Sequence, residues 1–259
     1  MMRHKNMIRS AAVTIVMAAL LLCSCGGRQK EGYSPLPGDL LFTLSGTSEM
    51  SGAISSATTH KTGADGDPED SIAGTESKMD DRPDDFDHVG IFAFTDGKPT
   101  VIEAAPKKGV VATPLDEFME EAQKNGGGVV VKRLRANWTS EKEASDPKQR
   151  NAKFDSEIDL EECVQRAEEM LELPYDWSYL PDNGKIYCSE LVYESFVDRG
   201  RRHIFTARPM NFRDSDGNLP KFWSDLFAKL GEPIPEGLPG TNPNDLARES
   251  CLTEVYRSR

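Results

Sequence analysis

The sequence predicts an α+β fold. Short apolar, strand-like runs cluster in the first half of the chain, and helical patterns follow them, which argues against a doubly wound sheet. No Gly-x-Gly-x-x-Gly opens a helix, and no internal repeat is visible. The first strand is "PGDLLFTL", announced by a Pro-Gly turn, and "SGAISSATT" after it reads as a short helix or turn. "DHVGIFAF" and "TVIEAA" form a hairpin through "TDGKP", because Asp-Gly at the centre is a strong two-residue turn signal. "TPLDEFMEEAQKN" is a helix with acids in its early turns, and "GGGVVVKRL" is a third strand. The charged stretch 137–156 is a linker. A helix runs from about 157 to 172, and "PYDWSYLPDNGKIY" leads into another that opens at Cys188. "FWSDLFAKLG" is one more helix among loops that complete the chain.

The ends and insertions have their own logic. Residues 1–24 combine Arg3, Lys5 and Arg9 with an apolar run too short to span a bilayer comfortably, as a secretory signal does. That run closes on "LLCSCGG". Cys25, with Ser24 before it and Leu22 three back, fits a lipoprotein cleavage site, whereas Cys23 has Leu22 directly before it and does not. The expectation is a diacylated Cys25 holding about 235 residues on a bacterial envelope membrane, with 25–37 as tether and 38–259 as one domain. Residues 61–85 are acidic, rich in Gly, Asp and Ser, and read as a flexible surface insertion. They lack a calcium-loop pattern.

Composition narrows the function. A net charge of -12 disfavours nucleic acid and anionic lipid surfaces as partners. No Cys-x-x-Cys or His-x-x-x-His occurs, so neither a structural zinc site nor any other cofactor is expected. Beyond the signal, Cys163, Cys188 and Cys251 remain. Cys163 falls on the buried face of its helix and Cys251 in a polar tail. A disulfide between them is the alternative in an oxidising compartment.

Cys188 is the candidate nucleophile, since a helix N-terminus favours a thiolate and offers N–H groups to an oxyanion. The other reading is a small apolar residue packing the helix. Of His60, His88 and His203, only His88 stands on a rigid apolar strand, as a base requires. If Asp96-Gly97 are the loop residues, Thr95 faces Lys98 and Gly90 faces Glu103. Glu103 is then the diagonal neighbour of His88, placed to fix its tautomer, with Gly90 leaving room. A Glu between Ile102 and Ala104 is costly without such a partner. The alternative is an edge strand whose Glu meets water and whose His caps the hairpin.

Together "PGDLLF", "DHVGIF", "VIEAAPKKGVVATPLDEF" and "PYDWSYLPDNGKIYCSELVYESF" resemble the YiiX/YebB-like branch of the NlpC-type cysteine hydrolases. In that branch the papain-like domain is circularly permuted, so the histidine strand precedes the cysteine helix. The resemblance implies Cys188 as nucleophile, His88 as base, Glu103 as the orienting acid and Tyr175 near the oxyanion, with Tyr187 packing. It implies hydrolysis of an amide or peptide bond through a thioester, with peptidoglycan stem peptides as a substrate class that suits an envelope lipoprotein. Two alternatives belong to the same fold. One is lipid acyl transfer or thioester hydrolysis of the lecithin retinol acyltransferase type, on a lipid amide or ester. The other is a binding module without catalysis.

Overall fold

The computed structural model describes residues 34–58, 84–135 and 158–258. The signal peptide, Cys25, the tether up to residue 33, His60, residues 59–83 of the insertion region and the linker lie outside the described residues. The elements in chain order are β1 (Leu40–Leu44), α1 (Glu49–Thr58), β2 (Phe86–Thr95), β3 (Lys98–Ala105), β4 (Gly109–Pro114), α2 (Leu115–Lys124) and β5 (Val129–Leu134). There follow α3 (Leu160–Glu169), α4 (Cys188–Ser195), β6 (Arg208–Pro209), α5 (Lys221–Leu230), β7 (Pro239–Gly240), α6 (Pro243–Ala247) and β8 (Leu252–Arg257). The fold is α+β.

Six strands make one antiparallel sheet in the order β4-β3-β2-β1-β5-β8. The β2–β3 hairpin has the expected register, with Thr95 opposite Lys98 and Ile91 opposite Ile102. Asp96 and Gly97 both take positive φ, 53° and 72°, the geometry that matches the twist of paired strands. Gly90 has no space for a side chain, because a Cβ there would stand 2.4 Å from Val101 Cγ1. One side of the sheet packs Leu40, Val89, Ile91 and Ile102 with Leu191 and Val192 of α4 and Cys163 and Ala167 of α3. The other packs Leu41, Phe92 and Val101 against Phe118 and Ala122 of α2.

Several expectations need correction. Thr113 and Pro114, expected to open a helix, instead end a strand, β4, over "GVVATP". The C-terminal tail is also a strand: β8 pairs with β5, and Cys251 just before it is fully buried, not set in a polar segment. Cys163 and Cys251 are free thiols. Residues 34–37, expected as tether, enter a turn in which the Asp39 carboxylate accepts the Leu36 N–H at 2.9 Å. Asp39 in turn holds Arg133 of β5 through two hydrogen bonds of 2.6 and 2.8 Å. Asp84 and Asp85, expected to be the end of the insertion, are tied down by Arg257 and by Asn244 with Ser55.

Candidate active site

Helix α4 begins at Cys188 because its sequence caps and buries it. Tyr187 is extended, with φ −102° and ψ 169°, and its N–H donates to the Glu190 carboxylate at 3.3 Å. Its carbonyl accepts the Leu191 N–H at 3.0 Å. Leu191 and Val192 are fully buried, which presses the helix against β2 and β3. Cys188 thereby occupies the first turn, where N–H groups lack intrahelical partners and favour negative charge.

His88 is on β2, opposite Thr43 of β1. Its Nε2 is 2.6 Å from Glu103 Oε2, and the ring lies 6.1 Å from that of Phe118. Cys188 lines the same cleft as the ring and, with Glu103, favours its charged form. With Nε2 committed to Glu103, Nδ1 is the ring nitrogen left for another partner. Burial works against a charged ring, but neighbouring Cys188 and the bond to Glu103 outweigh it, so the pKa of His88 is raised well above its ordinary value. Glu103 is buried, which alone would push its carboxyl up. Hydrogen bonds from His88 and Thr113 reverse that and hold it below the ordinary 4.5. The Thr113 hydroxyl donates to Glu103 Oε1 at 2.5 Å.

Tyr175 is placed by a loop that closes on itself. Asp176 N–H donates to the Ile186 carbonyl and Ile186 N–H to the Pro174 carbonyl, each at 3.0 Å. The buried Asp176 carboxylate accepts from Ser178 N–H, Ser178 Oγ and Leu180 N–H, at 2.9, 2.6 and 2.8 Å. Tyr175 lines the same cleft as Cys188, and burial, together with neighbouring Tyr179 and Cys188, pushes its hydroxyl well above its ordinary pKa. It stays a neutral donor. Tyr187 packs in the core, as expected, and its hydroxyl accepts the Thr241 N–H at 3.2 Å.

Cys188, His88, Glu103 and Tyr175 therefore converge on one cleft of about 320 Å³. Chemically, Thr113, Glu103 and His88 form a hydrogen-bonded line in the cleft that Cys188 also lines, the kind of arrangement in which a ring can take and return a proton. Thr113 and Asp176 are the residues that sequence reasoning missed in this role. Thr113 required recognition of β4. The other thiols are different: burial pushes Cys163 up to about 11 and Cys251 up to about 12. His203 stacks on Tyr193 with centroids 3.8 Å apart and bonds the Tyr193 carbonyl. Among the described residues no group of three or more His, Cys, Asp or Glu side chains is placed to hold a metal ion.

Comparison with known proteins gives these features a family. The model of the permuted papain-like amidase enzymes, the YaeF/YiiX or C92 family, matches residues 34–256. The uncharacterized protein YiiX of Escherichia coli (strain K12) is 24% identical over 173 residues, which cover 67% of this chain and 74% of that protein. The crystal structure of metalloprotein yiiX from Escherichia coli O157:H7 superposes with a TM-score of 0.58 at 22% identity, covering 87% of this chain and 99% of the other. The match over residues 34–256 places this chain in the permuted papain-like amidase family of YaeF and YiiX.

Proposed function

We propose that the protein is a cysteine amidase in which Cys188 attacks an amide or peptide carbonyl and His88 moves the proton. The observation that carries this is the Glu103-bonded ring of His88 in the same cleft as Cys188 at the opening of α4. His88 takes the thiol proton, and the sulfur adds to the carbonyl carbon. The oxyanion is met by N–H groups of the first turn of α4 and by the Tyr175 hydroxyl. Collapse breaks the C–N bond, His88 protonates the departing amine, and a thioester remains on Cys188. Water, deprotonated by His88, then adds to the thioester. The acid leaves and the thiol is restored. Glu103 keeps the ring in the working tautomer and stabilises its cationic form.

The lipobox at Cys25 supports a location on the cell envelope, where cell-wall stem peptides are the amide substrates at hand. The test is to offer purified protein both muropeptides and acyl lipids and to follow product by mass spectrometry. Cleavage of an amide bond in the muropeptides, lost in Cys188→Ala, is the expected result. Turnover surviving that change, or confined to acyl lipids, would overturn the reading.

A further inference from the structure

A second, narrower cavity touches Cys188 without touching His88. It shares only Ile54, Tyr175 and Cys188 with the wide cleft. Its volume is about 60 Å³, and at about 10–15 Å³ for each water-sized group it has room for about four to six non-hydrogen atoms. Phe212 and Trp223 line it, with their rings 5.1 Å apart and nearly perpendicular, and Trp223 Nε1 donates to the Ala53 carbonyl at 3.3 Å. Three hydroxyls of its wall residues, those of Tyr179, Ser189 and Thr241, are more than nine-tenths buried and have no hydrogen-bond partner. An unpaired buried hydroxyl costs about 1–3 kcal/mol, so such a wall favours an occupant that can pair with it.

The two spaces divide the substrate, on the strength of the cysteine mechanism proposed above. The leaving group is protonated by His88 and so departs through the wide cleft that His88 lines. The acyl half must then lie on the other side of the sulfur. We infer that the narrow cavity is the acyl subsite, and that it takes a short acyl group carrying a hydrogen-bonding substituent, such as one small aminoacyl unit, and excludes long fatty chains.

Chloromethyl ketones test this directly, because the sulfur displaces chloride from the methylene carbon while the acyl group seats in its subsite. Labelling of Cys188 would be timed by intact-protein and peptide mass spectrometry, with an alanine-derived chloromethyl ketone against 1-chlorododecan-2-one. The expected result is at least about tenfold faster labelling by the alanine reagent, equivalent to about 1.4 kcal/mol. Trp223→Ala should narrow that gap by speeding the long reagent, and Met210→Ala, at a less buried wall position, provides the same reading if the first variant folds poorly. Thr241→Val should slow the alanine reagent severalfold. Equal rates for the two reagents, or a gap unchanged in both enlarged variants, would overturn the assignment, and an unchanged rate in Thr241→Val would overturn its polar half. Failure of the amidase reading shows separately: His88→Ala would then leave both labelling rates unaltered while their ratio still reports the cavity.

Discussion

Glu103 accepts hydrogen bonds from two sides, one from the His88 ring and one from the Thr113 hydroxyl, so its carboxylate has little freedom to turn. Thr113→Val removes one of those bonds and leaves a buried carboxylate oxygen unpaired, a loss of about 1–2 kcal/mol or roughly 5- to 30-fold in rate. The second-order rate of Cys188 alkylation at neutral pH is the measurement, and an unchanged rate would remove Thr113 from the support of the site. His88→Ala should cost far more in amide turnover, about 10²- to 10⁴-fold. The pH dependence has a definite sign. His88 has a folded pKa above its unfolded value of about 6.5, so its contribution to stability is complete below that pH and is lost as pH rises through the folded value. The stability advantage of the native protein over His88→Ala in urea should therefore shrink from pH 6 toward alkaline pH. An advantage that grows instead would contradict the bonding described for this ring.

The hairpin that carries His88 and Glu103 was readable because its signals are local. Asp96 and Gly97 fix the turn, the turn fixes the register, and the register puts Glu103 diagonal to His88. The strands β4 and β8 were not readable, and both are the edges of the sheet. Edge strands bury fewer side chains, so the alternation that marks a strand is diluted, and in β8 two exposed residues, Thr253 and Glu254, interrupt it. With β4 hidden, Thr113 could not be linked to Glu103. Gly90→Ala tests the hairpin, since the added methyl meets Val101 at 2.4 Å; a loss of about 1–3 kcal/mol in urea denaturation is expected. Wild-type stability there would mean the strands can part to admit it. At the start of α4, burial pushes Glu190 up to about 8, with Asp176 and Glu194 adding to it. A carboxyl raised on folding binds a proton that the unfolded chain has released, so stability falls as pH rises from 4.5 to about 8. Glu190→Gln should flatten that slope, and an identical slope in the variant would exclude Glu190 as its source.

Across the whole molecule the three described cysteines occupy different environments despite all being buried. Cys163 and Cys251 are fully enclosed and have raised pKa values, whereas Cys188 borders two cavities. Of the three described cysteines, iodoacetamide at neutral pH should label Cys188 in the native protein, with the other two reacting only at the rate of global unfolding. Early labelling of Cys251 would show that β8 detaches on its own. The chain order of the site was readable only through a resemblance spread over several segments, because no spacing rule links residues so distant in sequence. Cys163 was legible by its helical face, while the burial of Cys251 depends on a pairing between β5 and β8 more than a hundred residues apart.

His88 and Cys188 are separated by 100 positions, and the helix that carries the sulfur docks onto a hairpin made long before it in the chain. An unfolded chain therefore holds the two side chains apart. Under the cysteine mechanism proposed above, only assembly of both halves brings the base to the sulfur, so the reaction waits on complete folding.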